Sequence, residues 1–206
     1  MKAFSILKYV VIAAIVGGIY FSGKSDNSGE GTYVKDEIDL NRVLDVTVDT
    51  LYAYQKELDA KQGEPDADQA FLGFADDLAT DYNKAQPAIY TSGTVGVIPQ
   101  TDASLLAFDD VNLNKDYDEG EALLFKIEID GEKARIIASS RSGEVSDHSF
   151  SGTSLLAGYL IGSMLSRQSA AGVSSKSLAN KKTVSSKQAA ANARARAGSG
   201  SHSKGK

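Results

Sequence analysis

The chain has 206 residues, 42% hydrophobic and 24% charged, which allows one modest folded domain plus tails rather than two full domains. It contains no cysteine, so disulfides, thiolate metal sites, cysteine nucleophiles and lipid attachment through an N-terminal cysteine are excluded. The net charge of −5 hides a segregation: all 27 acids lie from Asp26 to Asp147, where ten Lys or Arg leave a balance of −17, and the chain beyond carries nine basic residues and no acid.

Lys2 and Lys8 lead into an uncharged run from Tyr9 to Gly23. Residues 1–24 are expected to form a transmembrane anchor, with a linker at 25–34. As a helix, Ala3 to Gly23 would be about 31 Å long, enough to cross the hydrocarbon core if Lys8 snorkels to the interface. A cleaved signal peptide has the same basic start and apolar stretch. Its cleavage site fits poorly, because the nearest small-x-small pair, Gly23 and Ser25, follows the bulky Ile19, Tyr20 and Phe21. The positive N-terminal side is held in the cytoplasm. In a bacterium this predicts an inner-membrane protein with a cytoplasmic N-terminus and a main domain that is periplasmic or extracellular.

Residues 35–147 are expected to form an acidic α+β domain. Between Lys35 and Gln62, Val43, Leu44, Val48, Leu51, Tyr52, Tyr54 and Leu58 recur at mostly three- and four-residue steps, the period of an amphipathic helix. Gly63 and Pro65 end it, and Asp66 is placed to cap a second helix carrying Phe71, Phe74, Leu78 and Tyr82. The two would pair antiparallel. Their aromatic stripe is the pattern of a core rather than of a cofactor pocket.

After Pro87, short apolar runs at 94–98, 104–108, 122–129 and 134–138 read as strands of a small antiparallel hairpin sheet. Asp130 and Gly131 suit a two-residue hairpin turn. Phe125, Ile127 and Ile129 alternate with Lys126, Glu128 and Asp130, so one face should be buried and the other wet.

Just before that strand lies DDVNLNKDYDEGE. Counted from Asp110, oxygen side chains fall at Asp110, Asn112, Asn114, Asp118 and Glu121, positions 1, 3, 5, 9 and 12 of an EF-hand ligand loop, with Asp116 at position 7 offering its backbone carbonyl. A hard cation such as calcium takes six to eight oxygens, which this spacing can supply. The competing reading is a solvated acidic loop, since Asp and Asn are common turn formers. The dozen residues resemble the DxNxNxxxDxGE calcium loops of dockerins and of B-type repeats in bacterial surface adhesins. That resemblance implies calcium ligation by Asp110, Asn112, Asn114, Asp118 and Glu121. It departs at position 6, where Lys115 replaces the usual Gly and a left-handed backbone costs roughly 1–2 kcal/mol. With three carboxylates, affinity should lie at the weak end, about 10⁻⁴ to 10⁻³ M, useful where calcium is abundant.

Residues 149–166 form an uncharged, glycine-rich apolar stretch in which Gly158 and Gly162 make a GxxxG. A short oligomerising or interfacial helix, a second membrane span and an ordinary core helix all fit it, and self-association through Gly158 and Gly162 is the expectation. The tail at 167–206 has no aromatic residue and is expected to be a disordered basic segment drawn to anionic lipids or cell-wall polymers. Nucleic-acid binding is not expected, because no stacking aromatics accompany the charge.

No phosphate loop, dinucleotide fingerprint or zinc spacing is present, and His148 and His202 are the only histidines. The reading is an exported, membrane-anchored envelope protein with a weak structural calcium loop, serving as a scaffold or interaction module. The alternatives are a carboxylate-dependent envelope hydrolase and a membrane-remodelling or pore-forming helper using the glycine-rich segment.

Overall fold

The computed structural model describes residues 38–60, 66–150 and 158–198. Helix α1 spans Leu40–Ala60 and α2 Ala67–Lys84. They are followed by β1 (Val95–Pro99), β2 (Leu105–Asp109), β3 (Leu123–Asp130), β4 (Arg135–Ser140) and β5 (Val145–Ser149). The chain continues with α3 (Tyr159–Ala170), α4 (Ser175–Ala179) and α5 (Ser186–Gly198). The five strands form one antiparallel meander, β1-β2-β3-β4-β5.

Asp66 caps α2 by accepting from Gln69 N at 2.9 Å, as its position before an apolar-periodic run requires. The apolar stripes of α1 and α2 meet each other and one face of the sheet: Leu44, Leu51, Phe74, Leu78 and Tyr82 pack with Val95, Leu105, Phe125, Ile127, Ile129 and Ile136 in a single core. Burial inside that core raises the Tyr82 phenol, whose hydroxyl shares a 2.6 Å hydrogen bond with Thr47. The β1 edge is closed by a side chain. Asn83 donates to Val95 O at 2.8 Å and accepts from Val95 N at 2.9 Å, standing in for a neighbouring strand.

The class is α+β, but four parts of the expected architecture are corrected. First, the sheet has five strands rather than the four read from apolar runs, because VSDHS at 145–149 pairs with β4 in the register Ile137↔Asp147. Its polar residues gave no strand signal. Second, the β3–β4 turn holds four residues, since Asp130 pairs with Arg135. Asp130 caps that turn, its Oδ1 accepting from Glu132 N (3.1 Å) and Lys133 N (3.2 Å), and the positive φ falls at Ala134 (49°). Third, among the described residues no helix is long and apolar enough to cross a membrane. The anchor at 1–24 and the linker at 25–34 lie outside the described residues.

Within the glycine-rich stretch, α3 is a 12-residue helix that puts Leu160, Ile161 and Met164 into the core. Gly158 starts it, and Gln55 of α1 fills the space a side chain would take: its Oε1 accepts from Leu160 N at 3.1 Å and would stand 2.6 Å from a Cβ on Gly158. Gly162 has no described atom within 4 Å of its Cβ position.

Fourth, the basic tail is folded through Gly198 rather than disordered. The second face of the sheet, which the alternation assigned to solvent, is where it docks. Arg135 is buried there, between Asp130 (2.9 Å) and Asp147 (2.8 Å), and its Nη2 donates to the carbonyls of Leu178 (2.9 Å), Ala179 (3.3 Å) and Lys181 (2.9 Å). Desolvation works against that guanidinium's charge, and Asp147 and Asp130 outweigh it, so its pKa is raised. Lys181 pairs with Glu128, and Arg167 of α3 with Asp68 of α2. Part of the charge segregation seen in the sequence is thus neutralised inside the molecule.

Candidate metal centre

The loop from Asp110 to Ala122 joins β2 to β3. Asp109 N donates to Ala122 O at 2.9 Å and Asp110 N to Thr94 O at 2.8 Å, so strand pairing pins both ends of the excursion. Asp110 is 3% exposed, and its carboxylate is engaged by the loop itself: Oδ1 accepts from Asn114 N and Oδ2 from Lys115 N, each at 3.1 Å. Glu121 ties the far end back, its Oε1 accepting from Val111 N (3.1 Å) and its Oε2 from Asp118 N (2.9 Å). Positions 1 and 12 therefore clasp the loop backbone from opposite ends.

The turn at position 6 is left-handed, as the spacing demands: Lys115 has φ +64°. Its ammonium reaches out to Asp76 of α2 at 3.5 Å, with both side chains well exposed, and so leaves the loop interior to the oxygens. Leu113 also has a positive φ, +61°, which the spacing did not flag. Asn112 and Asn114 both donate through Nδ2 to the same Asp118 oxygen, at 2.8 and 2.7 Å, so positions 3, 5 and 9 gather around one point. Their Oδ1 atoms accept from Asn114 N (3.0 Å) and Asp116 N (2.7 Å). Val111 and Leu113, the intervening residues, turn outward and are 72% and 68% exposed.

The residues fit a hard cation in backbone shape and donor chemistry. Among the described residues, however, no three His, Cys, Asp or Glu side chains form a metal-holding group by themselves. The carboxylates of Asp110, Asp118 and Glu121 face loop N–H and amide groups instead. A cation here would depend on the two carboxamides and the Asp116 carbonyl as well as on the carboxylates.

Tyr117 is the loop residue that sequence reasoning missed. Its ring meets Phe108 edge-to-face at 5.4 Å, beside Ile98, Leu106 and Leu123, and its hydroxyl donates to Glu121 O at 3.2 Å. The loop thereby roofs the end of the sheet's second face that the C-terminal segment does not reach. An aromatic amid five acids was the available signal.

No protein-family model, curated protein or solved structure matches the chain. Four acids of the sheet and its turns are paired: Lys126 lies 3.3 Å from both Asp102 and Glu128, and Arg135 binds Asp130 and Asp147. Burial acts to raise the Asp102 carboxyl, but hydrogen bonds from Ser104 (2.5 and 3.0 Å) and the Lys126 charge outweigh it and hold it below the usual carboxylate range. His148 Nδ1 lies 3.3 Å from Asp45 Oδ1, at the junction of β5 and α1.

Proposed function

We propose that this chain is an exported envelope protein, a scaffold or interaction module, whose β2–β3 loop binds one weak structural calcium ion. The observation that carries the reading is the backbone at Lys115: the loop adopts the left-handed turn at position 6 without a glycine, and folds the N–H groups of Asn114 and Lys115 onto Asp110. Ala103 and Ala134 hold a positive φ in ordinary turns, so what supports the reading is that the left-handed residue falls at position 6 of the oxygen spacing from Asp110 to Glu121. Asp110, Asn112, Asn114, Asp118 and Glu121 would hold the ion through their side chains and Asp116 through its carbonyl. The ion would supply charge neutralisation to a loop with five acids and one Lys, fixing the β2–β3 connection and Tyr117 over the sheet.

A site this weak fills only where calcium is abundant, which suits the outer side of a membrane. Lys2, Lys8 and the apolar run at 9–23 support export in the same direction. Terbium luminescence of the full chain tests the site, because the chain lacks tryptophan and Tyr117 lies between Asp116 and Asp118 as the local antenna. Sensitised emission that calcium displaces, and that Tyr117→Leu removes, is the expected result. Emission absent, or unchanged by Asp110→Ala with Glu121→Ala, sinks the proposal.

A further inference from the structure

The most exposed large apolar side chains among the described residues are Val111 and Leu113, 72% and 68% exposed, two residues apart on the β2–β3 loop. Aliphatic side chains scattered singly over a surface need no account, but these two stand out together from one tip, on either side of Asn112. The backbone that presents them is tied down: Val111 N donates to Glu121 Oε1 and Asn114 N to Asp110 Oδ1, each at 3.1 Å. The loop also lies at the end of the molecule where the chain enters α1. Arg42, in the first turn of α1, donates to Gln86 O at 2.6 Å just beyond α2, and Asn83 in the last turn of α2 holds Val95, which pairs with Asp109 at the mouth of the loop. Lys84 and Arg141 are exposed at that same end, the first closing α2 and the second following β4.

We propose that Val111 and Leu113 insert into the surface of a phospholipid bilayer and that calcium in the loop permits the insertion, an inference that rests on the export and calcium reading above. A stable protein partner buries about 800 Å² on each side, far more than two aliphatic tips offer, whereas a bilayer accepts a shallow apolar wedge and surrounds it with phosphates. Lys84 and Arg141 suit those phosphates. The five acids of the loop oppose them until a divalent ion neutralises part of the charge, so the contact depends on the metal. A membrane that holds the uncharged run Tyr9–Gly23 is within reach, because the sixteen residues from Lys24 to Asp39 span at most about 55 Å.

The chain has no cysteine, so a thiol-linked, polarity-sensitive nitrobenzoxadiazole dye reports from one chosen position. Full-length Val111→Cys carrying the dye is mixed with phosphatidylcholine/phosphatidylglycerol vesicles in calcium. Insertion predicts emission that shifts to the blue and rises several-fold, reverts on chelation, and is lost when Leu113→Asn is added. Asparagine tolerates the left-handed φ of +61° at that position, so this variant keeps the loop folded. The same dye on Ser169→Cys should not respond, since Ser169 is exposed beside Gln168, which donates to Ile129 O near the β3–β4 turn at the opposite end of the sheet. No blue shift at position 111, a shift indifferent to chelation or to Leu113→Asn, or an equal shift at position 169 overturns the insertion. Terbium luminescence of the parent chain separates the two readings: terbium bound without a blue shift contradicts the lipid contact alone, and no terbium bound removes the calcium site and this inference with it.

Discussion

At the residue scale, Lys115 and Asp102 show how single side chains hold unusual states. Lys115 already sits at φ +64°, so Lys115→Gly relieves strain that exists in the folded loop. We expect a gain of about 0.5–1 kcal/mol, the left-handed penalty less the extra entropy glycine loses on folding. It should appear as a higher melting temperature, with at most a few-fold tighter calcium binding, because the loop is bent this way before any ion enters. The lost contact with Asp76 is exposed and contributes little. Asp102 makes the complementary point about pH. Its folded pKa is lowered, so its stabilisation is fully present above the unfolded value of about 3.9 and disappears as pH falls through the folded value. Asp102→Asn should therefore be destabilised at neutral pH, with a shallower loss of stability on acidification below about pH 4 than the parent chain shows.

Elements were legible wherever apolar residues kept a period. The stripes Val43–Leu58 and Phe71–Tyr82 fixed two helices, and the first four strands begin and end within a residue or two of their apolar runs. What escaped was β5, whose Val-Ser-Asp-His-Ser has no alternation because it is a half-exposed edge. The four-residue turn at 131–134 also escaped: Asp130 and Gly131 read as a hairpin corner, yet Asp130 is needed as a turn cap and as a partner for Arg135. Gly131 is required instead by Leu165 of α3, which would stand 2.7 Å from a Cβ there.

The GxxxG divides in the same way. Gly158→Ala should cost about 1–2 kcal/mol by displacing the Gln55 cap of α3. Gly162→Ala, with open space around it, should be neutral or stabilising by up to about 1 kcal/mol through helix propensity. Denaturant unfolding of the two variants separates these roles. Equal destabilisation by both would mean that the pair acts as one packing face.

For the molecule as a whole, charge is the organising quantity. The sequence reveals an acidic centre and a basic end but not that the end folds back, because a segment without aromatics or long apolar runs gives no core signal. Arg135 is the missing term: one buried guanidinium collects two carboxylates from the sheet and three carbonyls from the C-terminal segment. Removing it leaves Asp130, which is fully buried, without its partner. Arg135→Ala should lower stability by roughly 3–5 kcal/mol. It should also loosen the C-terminal segment, so that trypsin cuts at Lys176, Lys181, Lys182 and Lys187 faster than in the parent chain and before α1 and α2 are cut; simultaneous loss of all elements would contradict a clamp specific to the C-terminal segment. The turn geometry of the proposed calcium loop, with its left-handed Lys115, was legible in the spacing, but its packing was not. Tyr117 joins it to Phe108 and Leu123, so any ion held there is coupled to the stability of the whole sheet.

That coupling makes thermal unfolding of the full chain in calcium the most direct test. With a dissociation constant of about 10⁻⁴ to 10⁻³ M, roughly 10 mM calcium should add about 1.5–3 kcal/mol. That corresponds to a rise of about 3–10 °C in melting temperature, absent in the Asp110→Ala/Glu121→Ala variant and not reproduced by the same charge of monovalent salt. A melting temperature indifferent to calcium, or one raised equally in the variant, would contradict the calcium loop and leave DDVNLNKDYDEGE a strained acidic turn.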